Sequence, residues 1–463
     1  MEKGRFLTGS TMGHVVRMTM TGAVGITFVF LVDAANLLWI SQLGEPQLVA
    51  AMGFAYAIQF FSVSIGVGLM IAATALISKS IGQGERALAR RQAGASIVIA
   101  ASVQAVVALL VIWQRHGLIE LAGATGETAR LAARYLTMTM PSLVLMAVGL
   151  VCSGTLRAEG YGAKAMYVTM LSGVLLLVLD PITIVWLGWG LDGAAINLFL
   201  FRICLMVLAL YFAAYQTRLV ARPRLRTLRN IARPYLIVAI PAIATQMSTP
   251  VGNYFLTIVM ARFGDDAVAA WAVVARLTVV VFGGIFALSG AIGGIFGQNY
   301  GAGQYDRLRS TYRDALVFCF GYTLVAWALL SLSTPYVIAA FALSGQGEAV
   351  LRAFTFIGVG GFVFIGALFV SNAAFNNLGK AGRSTLLNWL KDGALSWPAA
   401  AYLAGVFGAP GVIYGQAAAG AVMGVVGAVW GWRYVNGLNA TNDVSLDPPP
   451  PRPYPNPDRY RRR

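Results

Sequence analysis

The sequence predicts an all-α, polytopic membrane protein with twelve transmembrane helices arranged as two parallel six-helix repeats. Three observations indicate this fold: the scarcity of charged residues, the regular succession of apolar segments, and a similarity between the two halves. Of the 463 residues, 58% are hydrophobic and only 11% are charged, whereas a soluble domain carries roughly 25% charged residues. Because so little polar surface is available to face water, lipid has to surround most of the chain.

Apolar segments long enough to cross a bilayer, which takes about 20 residues, occur twelve times. They lie at residues 16–40, 50–77, 93–113, 134–156, 165–187, 192–215, 236–261, 268–297, 315–334, 353–375, 385–405 and 411–432. An arginine-rich stretch separates the sixth segment from the seventh. The predicted organisation is a first lobe (1–215), a cytoplasmic basic linker (216–234), a second lobe (235–435) and a Pro-rich, disordered cytoplasmic tail (436–463).

The two lobes are similar in sequence at a nearly constant shift. The stretch that begins at Ile40 aligns with the stretch that begins at Met260, a shift of 220 residues. Further along, Ile81-Gly-Gln-Gly aligns with Tyr300-Gly-Ala-Gly at a shift of 219. Such self-similarity is typical of repeat architectures. Because each repeat contains an even number of spans, the two repeats have the same orientation in the membrane.

Lysine and arginine concentrate in alternate connections between the apolar segments. These connections hold Lys3, Arg5, Arg17, Lys79, Arg86, Arg90, Arg91, Arg157, Lys164, Arg307, Arg309, Arg313, Lys380, Arg383, Lys391 and six linker arginines. The opposite connections carry few: Arg115, Arg130, Arg134, Arg262 and Arg352. The asymmetry predicts that both termini are cytoplasmic, in a bacterial inner membrane. It also accounts for the net charge of +16 with lipid headgroups, and not nucleic acid, as the anionic partner.

Two aspartates lie inside apolar segments, where each costs about 2.5–3.5 kcal/mol to insert. Asp33 is in the first segment and Asp180 is in the fifth. Desolvation favours the neutral form of a carboxyl, so such a group can take up and release a proton. Asn36 shares a helix face with Asp33, and Pro181 frees a backbone carbonyl near Asp180. The alternative is a structural role, for example an ion pair between Asp180 and Arg202.

The second lobe has no acid at the equivalent positions, since Asp33 aligns with Asn253 and Asp180 with about Trp397. We therefore expect ion coupling in the first lobe. We interpret Lys391 and Asp392, at the beginning of the eleventh segment, as a self-neutralising pair near the membrane interface.

Enzymatic and metal chemistry have little support in the sequence. Cys152, Cys204 and Cys319 all lie within apolar segments and lack the spacing of metal or redox sites. The two histidines, His14 and His116, are far apart, and no nucleophile–base pair is evident. We expect neither an enzyme nor a metal site, and no cofactor except a coupling ion.

Several motifs, in their order and spacing, resemble the multidrug and toxic compound extrusion (MATE) family. They are Val32-Asp33 with Gln42-Leu-Gly, Leu156-Arg-Ala-Glu-Gly160, Leu179-Asp-Pro181, and Val274-Ala-Arg276 followed by Gly297-Gln-Asn-Tyr-Gly-Ala-Gly. The resemblance covers residues 10–435. It implies the export of cationic, amphipathic compounds in exchange for protons or sodium.

Within the family, the DinF-like branch uses acids in the first and fifth helices, and Asp33 and Asp180 match these positions. The sodium-coupled branch has a glutamate in the seventh helix where this chain has Thr249. The resemblance thus favours protons, with sodium as the alternative. The asparagine usually found four residues before the fifth-helix acid is Leu176 here, which removes one hydrogen-bond partner.

The leading hypothesis is a monomeric, proton-coupled antiporter that exports small organic cations. Asp33, Asp180 and Asn36 would handle the coupling ion. Candidate cleft-lining polar residues are Asn197, Gln246, Asn253, Tyr254, Asn372 and Asn376. The alternative is a flippase for a lipid-linked oligosaccharide or precursor, which needs a basic cleft. Only Arg202 and Arg276 offer basic groups within the membrane, so the sequence favours cationic cargo.

Overall fold

The structure, a computed structural model, describes residues 4–341 and 343–439, which are almost wholly helical and contain no β-strand. These residues form twelve helical segments: α1 (Thr11–Ser41), α2 (Pro46–Gly82), α3 (Arg86–Leu121), α4 (Gly126–Glu159), α5 (Gly162–Trp186), α6 (Gly190–Gln216), α7 (Leu225–Ala261), α8 (Asp265–Gly301), α9 (Tyr305–Ala340), α10 (345–377), α11 (381–407) and α12 (Pro410–Gly437). The end of the molecule at which α1 begins, α2 ends and α3 begins is here called the basic end.

Eleven of the described helices are long and apolar enough to cross a membrane. Helix α11 is the exception, because Lys391 and Asp392 lie in its middle and lower its hydropathy. The prediction of an all-helical, polytopic membrane protein is confirmed.

Several helices are broken where proline or glycine interrupts the backbone hydrogen bonds. A short 3₁₀ turn, Met140–Ser142, divides α4, and a second one, Gly358–Gly361, divides α10. In α5 the backbone changes from α to π geometry at Pro181. Because proline has no N–H, it cannot continue the α-helical ladder. Interruptions of this kind are often found at functional sites.

The buried apolar side chains form separate clusters for the two halves of the sequence. One cluster comprises residues between Ile40 and Leu219. Another comprises residues between Leu256 and Leu438, joined by Phe6, Val15 and Met18 from the amino-terminal end. A third joins α2, α3 and α4 to the beginning of α7. The segregation agrees with a division into two lobes, whose limits stay a prediction.

The two halves meet where α1 packs on α8, and where α2 packs on both α7 and α8. Small residues permit close approach, as they do in many membrane helix pairs. A Cβ atom on Gly22 would lie 2.9 Å from Cβ of Ala287, and one on Gly68 would lie 2.6 Å from the backbone nitrogen of Ile243. The α1–α8 and α2–α7 contacts are equivalent under the sequence repeat.

Helix α8 presents glycines to several neighbours. A Cβ atom added to these glycines would lie 2.8 Å or less from a neighbouring atom: Gly283 (Thr27 of α1), Gly284 (Tyr322 of α9), Gly293 (Asn377 of α10), Gly294 (Arg157 of α4), Gly297 (Ser78 of α2) and Gly301 (Lys79 of α2). At these glycines α8 therefore contacts five other helices without a side chain of its own.

Close contacts between the halves continue to the basic end. A Cβ atom on Gly82 would lie 2.0 Å from the carbonyl oxygen of Gln298, and one on Gly301 would lie 2.1 Å from that of Lys79. Further from the basic end, Leu31, Tyr56 and Tyr254 expose 58%, 45% and 65% of their surface. The backbones of the two halves are thus in close contact at the basic end.

Residues 4–10, here called the amino-terminal strap, cover this contact. The backbone N–H of Phe6 donates to Oε1 of Gln298 over 3.0 Å, and Nε2 of Gln298 donates to the carbonyl oxygen of Ala158 over 2.6 Å. Arg307 donates from Nη2 to the carbonyl of Phe6 (2.8 Å) and from Nη1 to that of Gly9 (2.9 Å). Because Phe6 is only 2% exposed, the strap packs into the basic end and does not lie loosely on its surface.

The predicted linker is shorter in the structure. Helix α7 begins at Leu225, so residues 225–234 are helical and only 217–224 connect α6 to α7. Pro234 stands inside α7 together with Pro241 and Pro250. Most of the predicted disordered tail, residues 440–463, lies outside the described residues.

Candidate functional site

Asp180 is fully buried at the junction between the α-helical and π-helical parts of α5. Both of its carboxyl oxygens have a hydrogen-bond donor. Nδ2 of Asn36, on α1, donates to Oδ2 over 2.8 Å, and Nδ2 of Asn197, on α6, donates to Oδ1 over 2.9 Å. Asn197 also donates to Oγ1 of Thr183 over 2.6 Å. Three helices of the first half therefore converge on one buried acid.

Glycines on α5 and α6 allow this convergence. A Cβ atom on Gly173 would lie 2.6 Å from the ring of Phe28, so α5 can approach α1 closely only without a side chain there. A Cβ atom on Gly193 would lie 3.1 Å from the carbonyl group of Thr183, where α6 meets α5. The short asparagine side chains can then reach Asp180 across both contacts.

Asp33 lies one helical turn before Asn36 on α1 and is partly exposed. Its carboxyl forms no hydrogen bond or ion pair with the residues that the structure describes. It interacts electrostatically with the guanidinium of Arg202 and with the carboxyl of Asp180. The site thus pairs an acid whose two oxygens both accept hydrogen bonds with an acid that accepts none from the described residues.

Arg202 is 3% exposed and supplies a positive charge to the same region. It donates to the carbonyl oxygen of Thr139 (3.1 Å), to Oγ of Ser142 (2.8 Å) and to Oε1 of Gln59 (3.3 Å). Within the described residues no carboxylate lies within ion-pair distance of it. The direct Asp180–Arg202 ion pair that the sequence left open is therefore absent from this part of the chain.

The predicted cleft residues of the second half form no side-chain hydrogen bonds with one another in the part of the chain that the structure describes. Asn372 is buried, and its Oδ1 accepts a hydrogen bond from Nδ2 of Asn388 over 3.0 Å. Asn376 is buried, and its Oδ1 has no partner among the described residues. Asn253 and Tyr254 are exposed and Gln246 is partly exposed. Only Asn197, of the six candidates, joins the acid site.

The second half also contains a buried acid, Asp392 on α11. Asp392 accepts a hydrogen bond from Oγ of Ser248 over 3.0 Å and forms an ion pair with Lys391. Its Cβ would lie 2.8 Å from a Cβ atom on Gly252, where α11 meets α7. Since α11 begins at residue 381, the pair lies in the middle of the helix and not at its beginning, whereas the predicted pairing of the two charges is confirmed. The signal was present, because both charges fall inside the apolar segment 385–405.

Comparison with known proteins places these features in one family. The MatE family model matches residues 23–182 and 241–390, which include Asp33 and Asp180. A FAD transporter of Shewanella oneidensis is 23% identical over 95% of this chain and 99% of its own length. The multidrug export protein MepA of Staphylococcus aureus is 21% identical over 84% of this chain and 87% of its own length.

Solved structures show the same fold. A MATE transporter in complex with MaL6 superposes with a TM-score of 0.88 at 24% identity, over 94% of this chain and 99% of that one. With the family match across both halves, the shared fold and the intramembrane acids, the chain belongs to the MatE family, whose members are transporters and not enzymes.

Proposed function

We propose that this chain is a secondary active antiporter of the DinF-like branch, which exports cationic amphipathic compounds in exchange for protons. It would act as a monomer in a bacterial inner membrane, with the basic end and both termini in the cytoplasm. The observation that carries the proposal is Asp33, an intramembrane carboxyl without a hydrogen-bond partner among the described residues, one turn from the satisfied Asp180 site.

The chemistry follows from the charge of Asp33. When ionised, its carboxylate attracts an organic cation, since a low-dielectric surrounding strengthens the attraction. When protonated, it loses this attraction and releases the cation. Proton and substrate then compete for the same group, which is the requirement for exchange.

Asp180 supports the exchange through Asn36. Because Asn36 lies on α1 together with Asp33, its hydrogen bond to Asp180 links the position of α1 to the charge of the buried acid. A protonated carboxyl accepts from Asn36 less strongly than a carboxylate, since charge-assisted hydrogen bonds are the stronger ones. Proton uptake at the pair would therefore loosen α1 from α5.

Transport of ethidium into inside-out vesicles under an imposed pH gradient tests the proposal. We expect the wild type to accumulate ethidium and Asp33→Asn to lose pH-driven accumulation. Asp306→Asn is the matched control, because its side chain is 96% exposed at the basic end. Undiminished transport by Asp33→Asn removes Asp33 from the coupling role. Transport that a sodium gradient alone drives would contradict proton coupling and leave the exporter itself intact.

A second candidate substrate is a flavin nucleotide. The relative from Shewanella oneidensis that aligns over 99% of its own length is a FAD transporter. The same vesicles, supplied with FAD in place of ethidium, distinguish the two substrates. The flippase alternative, which needs a basic cleft, has less support. Arg202 is buried and hydrogen-bonded to neutral groups, and Arg276 is exposed.

A further inference from the structure

Arg157, near the end of α4, points away from the basic end of the molecule. Its carbonyl oxygen lies 2.7 Å from the Cβ position of Gly294, whereas Nη1 lies 3.8 Å from that of Gly290. These two glycines are four residues apart on α8, about 6 Å along the helix. Gly290 is the one further from the basic end, so the guanidinium extends toward the membrane interior.

This direction is the reverse of the usual one. Arginine near the end of a membrane helix normally extends toward water. Glu159, the acid nearest to it in sequence, is instead paired with Arg86 over 2.5 Å. The guanidinium of Arg157 forms no hydrogen bond or ion pair with any residue in the ranges 4–341 and 343–439. An unpaired charge inside a membrane protein is costly and marks a functional group by default.

Space is available beside the guanidinium. A Cβ atom on Gly290 would meet no neighbouring heavy atom within 4 Å other than Nη1 of Arg157. Both residues are partly exposed. A methyl-sized group therefore fits next to Gly290 without displacing a side chain.

A second polar group without a partner lies at the same level. The contacts of Gly22 with Ala287 and of Thr27 with Gly283 show that α1 and α8 run antiparallel. Continuing this register by one turn brings Thr19 level with Gly290. Thr19 is fully buried, and its hydroxyl has no hydrogen-bond partner among the described residues.

We propose that Arg157 forms a subsite for an anionic group, a phosphate monoester, on a transported amphipathic compound. The proposal rests on the transport function above and extends the substrate class to compounds with a phosphate. A guanidinium suits this role because its planar donors match phosphate oxygens in pairs. The subsite lies between α4 and α8, where the two halves meet.

Two probes that differ only by the phosphate test the subsite: riboflavin and riboflavin 5′-phosphate, in proteoliposomes of the full chain. For Arg157→Gln we expect KM for riboflavin 5′-phosphate to rise at least about tenfold, the factor for one lost charge-assisted contact. KM for riboflavin should stay unchanged, and Arg157→Lys should retain part of the preference. An equal effect on both probes, or none on the phosphate, overturns the proposal.

A second variant leaves Arg157 in place. Gly290→Asp would set a carboxylate beside the guanidinium and compete with the substrate phosphate, whereas Gly290→Ala adds only a methyl group at ordinary contact distance. We expect Gly290→Asp to lose the phosphate preference and Gly290→Ala to keep it. If both variants behave alike, Arg157 is not the phosphate ligand.

One further measurement distinguishes a substrate phosphate from a lipid phosphate, and another distinguishes binding from transport. For the first, KM for riboflavin 5′-phosphate is measured in liposomes with and without phosphatidylglycerol. If Arg157→Gln raises this KM only when the lipid is present, the substrate assignment is overturned. A thermal shift that riboflavin 5′-phosphate gives in the wild type but not in Arg157→Gln measures the subsite without transport. Ethidium exchange tests the proposed antiporter and the thermal shift tests the proposed subsite. Because the two measurements are independent, failure of one proposal can be distinguished from failure of the other.

Discussion

Nδ2 of Asn197 donates a hydrogen bond to Oδ1 of Asp180 over 2.9 Å and so joins α6 to the buried acid of α5. With Asn36 on the other oxygen, the carboxyl is held from both sides. A departure of the sequence from its family, Leu176 in place of an asparagine, is thus offset by an amide that comes from another helix.

Asn197→Ala should destabilise the protein and weaken proton coupling. The substitution leaves Oδ1 of Asp180 and Oγ1 of Thr183 without their shared donor, and an unsatisfied buried polar group costs about 1–3 kcal/mol. Thermal unfolding in detergent measures the loss. The control is Asn253→Ala, which changes an exposed side chain and should unfold at the same temperature as the wild type. If Asn197→Ala also unfolded at that temperature, the hydrogen bond from Asn197 to Asp180 would not stabilise the protein.

The Lys391–Asp392 pair should behave as a coupled unit. Removing one partner of a buried pair costs about 3–5 kcal/mol, whereas replacing both by apolar or neutral groups is often tolerated. The two side chains are 14% and 10% exposed, so we expect Asp392→Asn to melt lower than the double variant Lys391→Met/Asp392→Asn.

The exposed Glu127–Arg130 pair supplies the control for this cycle, since Glu127→Gln should leave unfolding unchanged. Additive effects of the two substitutions in the Lys391–Asp392 pair would show that the ion pair contributes no coupling energy.

Gly82→Ala should open the basic end. The added Cβ would lie 2.0 Å from the carbonyl oxygen of Gln298, and this contact cannot form without moving α2 from α8. A cysteine in place of the fully buried Ser78, in a background without Cys152, Cys204 and Cys319, reports the separation by its rate of thiol labelling. The control is Gly53→Ala, whose added Cβ meets no atom within 4 Å; in this variant the cysteine should be labelled as slowly as in the parent. Equally slow labelling in Gly82→Ala would show that the contact with Gln298 does not hold the basic end together.

Arg307→Gln should loosen the amino-terminal strap. The substitution removes the donors to the carbonyls of Phe6 and Gly9, so the amide of Phe6, bonded to Gln298, should exchange its hydrogen faster. Hydrogen exchange with mass spectrometry of residues 4–10 measures this change. The control is Arg313→Gln, whose side chain is 72% exposed. Unaltered exchange in Arg307→Gln would show that other contacts hold the strap.

The membrane fold could be predicted, and Asn36 and Asp180, which the structure brings into contact, stand out as polar residues in apolar segments. The role of Asp33, Asn36 and Asp180 in ion coupling stays a prediction. The link from Asn197 could not, since α6 is apolar on all sides and its sequence does not reveal which face meets α5. The position of Asp392 in the middle of α11 could not be predicted either, because the polar first turns of this helix, with Arg383 and Ser384, lie outside the apolar segment.

Arg157 shows a different limit of sequence-based prediction. Its place in a basic connection predicts a side chain directed toward cytoplasmic water, and the structure shows it directed along α8 instead. The sequence predicts where along a helix the backbone of an arginine lies. The direction of a long side chain depends on the surface beside it, here the glycines of α8, which belong to a distant part of the sequence.

The glycines of α8 also bear on how fast the protein could change shape. Helices with interdigitated side chains must separate before one can turn against the other, and Thr27 and Ser78 of the first half extend their hydroxyl groups into the positions of Gly283 and Gly297 on α8. Rotation of one half about the other would then have to withdraw these two side chains from the surface of α8. The activation barrier would combine this withdrawal with the loss of the hydrogen bonds of Gln298 and Arg307 at the basic end, where water can replace each lost partner at the edge of the membrane.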